Sequence, residues 1–147
     1  MIRFPIEHLI GRIKLVRLND MPVLSREVAF DLDVIYQAWP VFERSFDSLR
    51  GRKMMGLIFN DEDIYRMCSV RLDRDADSPL NLDETVVPGG SYLRMRMVGA
   101  LAVVYAQIPK AFEVLFENAD HDDSRPHIEY YRREGEVDCL VPIHTMN

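Results

Sequence analysis

An internal repeat is the feature of this sequence that most restricts its fold. The pattern V-x-Y-x-x-x-P occurs once in each half of the chain, as VIYQAWP and as VVYAQIP. Segments before and after the pattern also match, in the same order and at nearly constant spacing. The matched pairs are Val23–Phe30 with Tyr92–Gly99, Val34–Pro40 with Val103–Pro109, and Met54–Val70 with His127–Ile143. We therefore predict two copies of one structural unit.

Each copy has the pattern of a strand, a helix and two further strands. Val23–Phe30 and Tyr92–Val98 are rich in β-forming residues and alternate in polarity, as strands do. Apolar residues recur every three or four positions from about Asp33 to Leu49 and from about Leu101 to Glu117, which predicts two helices. Hairpins should close the copies. They are expected at Met54–Phe59 with Ile64–Arg71 around Asn60–Glu62, and at His127–Arg132 with Val137–Ile143 around Glu134 and Gly135.

Three residues should shape the two helices. Asp33 is expected to cap the first helix, because its carboxylate can accept hydrogen bonds from free amide groups. Pro40 and Pro109 fall at equivalent places in mid-helix, where proline removes a hydrogen bond and clashes with the preceding turn. We expect a kink, or a break into two shorter helices, at both prolines.

The sheet face of one copy is too large for one helix to cover, so the two copies should pair. We predict an α+β fold in which duplicated β-α-β-β units form one antiparallel sheet with both helices on one face and pseudo-twofold symmetry. A single domain spans residues 1–147, with repeats at about 16–72 and 85–145. Polar Asp73–Glu84 links them, and Asn118–Arg125 forms an acidic loop. A groove on the symmetry axis would be a natural ligand site.

Composition and charge restrict the partners. A net charge of −6 argues against direct binding of nucleic acid and mildly favours cationic ligands. Neither a signal-peptide core nor the roughly 20 apolar residues of a membrane span is found, so a cytoplasmic protein is expected. Cys68 and Cys139 stand alone in strand-like sequence, which indicates buried, reduced thiols. We find no cofactor motif and expect no cofactor.

The sequence resembles the gyrase-inhibitory-protein-like family, which includes the effector-binding domains of multidrug-sensing transcription regulators. The resemblance runs from about Val16 to Ile143 and rests on VPGGSYLRMRMVG before the second helix and on RPHIEYYRREGEVDCLVPI. Its most specific residues are Pro126, Ile128, Glu129, Tyr131 and Asp138–Ile143. The resemblance implies a duplicated β-α-β-β domain in which Glu129 lies in the ligand pocket and pairs with cationic or polar ligand groups.

This chain departs from the family in two respects. The family often has Gly-Pro-Tyr at each helix start, where this chain has Gly99-Ala100-Leu101 and Phe30-Asp31-Leu32. The details of the pocket at these ends are therefore not implied. The residues before the first copy are also too few for a helix-turn-helix unit, so the chain is either a free-standing member or a fragment of a longer regulator. The initiator residue Met1 favours the free-standing member, which we expect.

The residues themselves also single out Glu129. It alternates with Ile128 and Tyr130 on a mostly apolar strand, and its counterpart in the first copy is Gly56. Burying an unpaired carboxylate costs several kcal/mol, so such groups are often functional. We predict that Glu129 anchors a ligand and that Gly56 leaves space for it. The alternative is a glutamate on an edge strand that faces water.

Aromatic residues should complete the pocket, because flat rings suit planar or cationic ligands. The alternative for them is ordinary core packing. The predicted ligand-binding aromatics are Tyr131, Tyr36, Trp39, Tyr105 and Tyr92, with Tyr65 and Phe59 as candidates that have no independent support.

Three functions are consistent with these patterns. The first is binding of small hydrophobic, cationic molecules, for sensing or sequestration. The second is hydrolysis of strained electrophiles with Glu129 as general base. The third is a protein-interaction role such as gyrase modulation. The residues His121, Asp122, Asp123 and His127 could form a metal site, but an acidic surface loop is the commoner reading and no metal is expected.

Overall fold

The computed structural model describes residues 4–59, 62–77 and 80–144, in which nine strands and two α-helices occur. A short 3-10 helix spans Asp73–Asp77. The helices are α1 (Leu32–Glu43) and α2 (Leu101–Asn118). The strands are β1 (Ile6–His8), β2 (Gly11–Leu18), β3 (Met21–Ala29), β4 (Met54–Phe59), β5 (Ile64–Val70), β6 (Asp83–Val87), β7 (Gly90–Val98), β8 (His127–Arg133) and β9 (Glu136–Pro142).

All nine strands belong to one antiparallel sheet, in the order β1-β2-β7-β9-β8-β4-β5-β3-β6. The central pair is β8 and β4, one strand from each predicted copy, and Gly56 lies opposite Glu129 there. Outward from this pair the order is β9, β7, β2, β1 on one side and β5, β3, β6 on the other. The predicted α+β fold, with two β-α-β-β units in one antiparallel sheet, is confirmed.

Three strands that extend the two halves were not predicted from the sequence. β1 and β2 precede the first predicted strand, and β2 pairs with β7. β6 takes up the end of the predicted linker, Asp73–Glu84, and pairs with β3. The described part of the linker thus begins with a 3-10 helix, Asp73–Asp77, and ends in the edge strand β6. The many carboxylates of this segment weaken the β-strand signal of the short run that follows it, Thr85–Val87.

The helices pack on the strands to either side of the central pair and leave β4 and β8 uncovered between them. α1 packs on β3 and β5, whereas α2 packs on β7 and β9. Helix residues such as Phe42 and Leu115 are buried with sheet residues of that face. The opposite face carries a separate apolar cluster that includes Leu57 and Ile128. Successive residues of a strand point to opposite faces, so β4 and β8 present their other residues to the gap between the helices.

The first helix differs from its prediction at both ends. Its N-cap is Asp31, whose carboxylate accepts a hydrogen bond from the Val34 amide at 3.1 Å, so Asp33 lies in the first turn instead. The helix ends at Glu43 rather than near Leu49. Beyond it, the Asp47 carboxylate binds the Ser48 amide and the Ser48 hydroxyl binds the Arg50 amide. Such local side-chain bonds compete with helical ones.

The two prolines do not break their helices. Pro40 lies inside α1 and Pro109 inside α2, and each helix continues beyond its proline. The alternative of two shorter helices was therefore wrong. In α1, the Pro40 carbonyl still accepts a hydrogen bond from the Arg44 amide at 3.1 Å. Packing of the helices on the sheet offsets the lost proline hydrogen bonds.

Other local predictions are confirmed within the described residues. Cys68 and Cys139 are free and buried. The second hairpin turns at Gly135, whose φ of 77° suits glycine. In the first hairpin, Asn60 and Asp61 lie outside the described residues. No helix in the described part of the chain is long and apolar enough to cross a membrane.

Candidate functional site

A cavity of about 1020 Å³ lies between α1 and α2, with β4 and β8 as its floor. Its position follows from the fold, because the helices pack on the strands that flank β4 and β8 and leave this central pair uncovered. Most of its walls are apolar or aromatic, as is usual for small-molecule sites. The residues that line it most deeply on the floor are Met54, Ile58, His127, Glu129 and Tyr131, with Tyr65 from β5.

The Glu129 carboxylate is held by two phenols. The hydroxyl groups of Tyr65 and Tyr131 both donate to Glu129 Oε1, at 2.7 and 2.8 Å. Tyr131 follows Glu129 by two residues and therefore points to the same face of β8. Tyr65 reaches across from β5, over Gly56 of the intervening strand. This arrangement fixes the carboxylate and leaves its second oxygen without a hydrogen-bond partner among the described residues.

Burial shifts the pKa values of this cluster. Loss of solvation raises the pKa of Glu129 above its usual 4.5, although the hydrogen bonds from Tyr65 and Tyr131 oppose the shift. Burial and the nearby carboxylate raise the pKa values of Tyr65 and Tyr131 as well. Both phenols therefore stay protonated at neutral pH and remain donors.

Aromatic rings surround the carboxylate. Trp39 Nε1 donates to the Tyr65 hydroxyl at 3.2 Å, so the indole is tied to the same cluster. The ring centres of Trp39 and Tyr131 are 5.6 Å apart, and those of Tyr105 and Tyr131 are 5.8 Å apart, in edge-to-face geometry. Aromatic faces attract cations, and the low-dielectric surroundings strengthen the effect. The cavity thus combines a carboxylate with a set of aromatic walls.

The cationic side chains of the cavity lining are engaged elsewhere. Arg52 donates to Asp75 at 2.6 and 3.0 Å. Arg133 lies 2.8 Å and Arg132 3.8 Å from Glu136. Within residues 4–59, 62–77 and 80–144, no arginine or lysine forms an ion pair with Glu129. Among these residues the negative charge of Glu129 is stabilised by hydrogen bonds only. A cationic ligand could therefore form an ion pair with it.

Five of the seven predicted site residues line the cavity. Glu129, Tyr131 and Trp39 meet at its centre, whereas Tyr36 and Tyr105 stand on the two helices. Tyr36 is 67% exposed, which places it at the mouth rather than in the interior. Whether these residues bind a ligand stays a prediction.

The other two predicted residues are corrected by their positions. Tyr92 is fully buried in the apolar cluster of the opposite face, where its hydroxyl donates to the Pro88 carbonyl at 2.5 Å. Gly56 does lie on the cavity face, but the ring of Tyr65 fills the space above it. The predicted gap for a ligand is therefore absent there. Phe59, an additional candidate, also packs on the opposite face.

Two lining residues carry more of the site than the sequence indicated. Tyr65 supplies one of the two hydrogen bonds to Glu129. This contact could be predicted only with the register of β4 and β5, which local sequence patterns do not provide. His127 shares the face of Glu129 on β8, and the period of two along the strand could have placed it there. It was instead considered as a metal ligand with His121. No group of three metal-binding side chains occurs in the described ranges.

Comparison with known proteins gives a consistent picture of the fold. An integron cassette protein of Vibrio cholerae is 18% identical, with a TM-score of 0.69 over 91% of this chain and 96% of that one. SAV2435, solved with tetraphenylphosphonium bound, is 14% identical (TM-score 0.65, 90% and 93% covered). The C-terminal domain of EcmrR is 11% identical (TM-score 0.66, 94% and 100% covered). The chain shares their fold.

Sequence comparison adds no closer relationship. Neither a family model nor a curated protein sequence matches the chain. At identities of 18% or less, the structural similarity is informative about architecture alone. Function must therefore be argued from the cavity.

Proposed function

We propose that this protein binds small hydrophobic cations in the cavity between its helices, as an effector or drug sensor or by sequestration. One observation carries the proposal. Glu129 is a desolvated carboxylate, fixed by Tyr65 and Tyr131, with no cationic partner among the described residues. A desolvated carboxylate is costly unless it is paired or protonated, and a bound cation would supply the missing charge.

The walls favour the same class of ligand. Trp39, Tyr131 and Tyr105 present aromatic surface around the carboxylate. The volume of about 1020 Å³ accommodates a ligand with several rings. A neighbour of the same fold, SAV2435, was solved with the aromatic cation tetraphenylphosphonium. That ion is therefore a suitable probe for this chain.

Titration calorimetry with tetraphenylphosphonium tests the proposal. The variant Glu129→Gln keeps the shape of the side chain and removes its charge, so affinity for the cation should fall about tenfold or more. Binding of the neutral triphenylphosphine oxide should change much less. Glu117→Gln is the matched control, because Glu117 is exposed on α2 and does not line the cavity. Equal losses for both compounds in Glu129→Gln would refute the role of the charge.

Hydrolysis of a strained electrophile is a second candidate function. Its specific support is the raised pKa of Glu129, which suits a carboxylate that accepts a proton from water. In this reaction water attacks an epoxide carbon, Glu129 takes the proton of the water, and the ring C–O bond breaks. The opened alkoxide then takes a proton from solvent. Conversion of styrene oxide to its diol, lost in Glu129→Gln, would establish the activity, whereas binding without turnover would exclude it for this substrate.

A further inference from the structure

His127 is a polar residue buried among aromatic rings at the edge of the cavity floor. Only 7% of the surface of His127 is exposed. The ring centre lies 4.7 Å from that of Phe112 and 5.4 Å from that of Phe116, both from α2 and both edge-on. These contacts hold the imidazole in one orientation, and His127 still lines the cavity.

The two ring nitrogens of His127 differ in accessibility. Nδ1 is closed off from solvent and has no hydrogen-bond partner in the described part of the chain. Nε2 is thus the nitrogen through which a cavity ligand can be bound. Burial lowers the pKa of His127 to about 4, so the ring is neutral at neutral pH. Because buried N–H groups without a partner are rare, we assign the single proton to Nε2.

His121 is a nearby titratable group, which lowers the pKa of His127 further, and both imidazole rings contact Phe116. Two apolar side chains also pack around His127. Ile58 lies opposite it on β4, and Phe112 covers it from the helix side.

Three charged lining residues follow Tyr131, towards the other end of the same strand from His127: Arg132, Arg133 and Glu134. Glu43, at the C-terminal end of α1, and Arg52, two residues before β4, are also charged lining residues. The cavity therefore has a charged end and an apolar end, and His127 provides a hydrogen-bond donor at the apolar one.

We propose that His127 is a second recognition point, which donates a hydrogen bond to a neutral acceptor on a ligand whose cation pairs with Glu129. This inference rests on the proposed function and specifies its ligand class. His127 and Glu129 are two residues apart on one face of β8, which corresponds to about 6.6 Å along the strand. The preferred ligands are aromatic cations with a carbonyl or ether oxygen about 6–7 Å from the charge.

Two isosteric cations test the inference. (4-Acetylphenyl)trimethylammonium carries a carbonyl oxygen para to its charge, and (4-isopropenylphenyl)trimethylammonium has a methylene group in its place. The wild-type protein should bind the acetyl compound roughly three- to tenfold more tightly, the usual worth of one hydrogen bond. The preference should vanish in His127→Phe, which keeps a ring against Phe112. It should persist in part in His127→Gln, which keeps an N–H donor.

The outcomes separate this inference from the proposed function. Equal affinities of the wild-type protein for the two cations, or a preference that survives in His127→Phe, would overturn the role of His127 and leave that of Glu129 intact. Failure of the wild-type protein to bind either cation or tetraphenylphosphonium would overturn the proposed function, and this inference with it. The comparison of ligands on the wild-type protein does not depend on the folding of any variant.

Discussion

The phenol ring of Tyr65 lies directly over Gly56. A Cβ atom added at Gly56 would overlap with the hydroxyl oxygen of Tyr65 and with the ring carbon that bears it. The same hydroxyl donates to Glu129 at 2.7 Å. A glycine at this position therefore allows Tyr65 to cross β4 and fix the carboxylate on β8.

Gly56→Ala should consequently destabilise the protein by about 1–3 kcal/mol, the usual cost of overpacking. In a Tyr65→Ala background the added methyl group has space, so the same substitution should cost much less. Urea unfolding of the two single variants and the double variant measures this coupling. Additive effects would show that Tyr65 is not the obstacle. Tetraphenylphosphonium binding should also weaken in Gly56→Ala, because Glu129 loses a fixed donor.

Binding of tetraphenylphosphonium should depend on pH through Glu129. Desolvation raises the pKa of this carboxyl group above 4.5, and only the ionised form attracts a cation. Affinity should therefore fall as the pH falls through the raised pKa, with a midpoint above 4.5. Calorimetric titrations across the acidic and neutral range measure the midpoint. Above the His127 pKa of about 4, where that imidazole is neutral, Glu129→Gln should show a flat profile. An unchanged pH dependence of the variant in that range would assign the dependence to another group.

The stability of the protein should depend on pH through His127. Its pKa is about 4 in the folded state and 6.5 in the unfolded reference, so the unfolded state binds more protons between these values. The stability that His127 contributes is complete above pH 6.5 and is lost as the pH falls to about 4, by up to about 3 kcal/mol.

The measurement is urea unfolding of the wild-type protein and His127→Phe at several pH values. The stability difference between the two proteins should change across this window. Protonation of Glu129 changes the free energy of unfolding in the opposite direction. It occurs in the wild-type protein and in His127→Phe alike, so it cancels when their stabilities are subtracted. A difference that is constant with pH would contradict the prediction.

The ion pair of Arg52 and Asp75 should be a strong structural contact. Arg52 donates two hydrogen bonds to Asp75, and both side chains are almost fully buried. Asp75→Asn removes the buried carboxylate and leaves Arg52 the longer ion pair with exposed Asp47, at 3.7 Å, so the free energy of unfolding should fall by about 3 kcal/mol. Asp73→Asn, in the same 3-10 helix but exposed, should change it by less than about 0.5 kcal/mol. Urea unfolding of the two variants tests this, and similar values for both would show that the pair is weak.

Much of the fold was predictable from local patterns. The period-two runs gave β3, β4, β5, β7, β8 and β9 to within a few residues, and helical spacing gave α1 and α2. The strands β1, β2 and β6 were missed, because their charged residues give a weak β signal and their pairing partners lie far along the chain. The end of α1 was also missed, since local bonds of Asp47 and Ser48 decide it.

The sequence by itself determined that Glu129 and Tyr131 share one face of a strand, because alternation along β8 requires it. Which residues surround them depended on tertiary structure. The antiparallel register of β4 and β5 brings Tyr65 over Gly56, and the spacing of α1 and α2 leaves the floor open. Tyr92 has a suitable side chain yet faces the other side of the sheet. Side-chain type and strand period are local properties, whereas the contents of a cavity are decided by the pairing of distant strands and the packing of helices upon them.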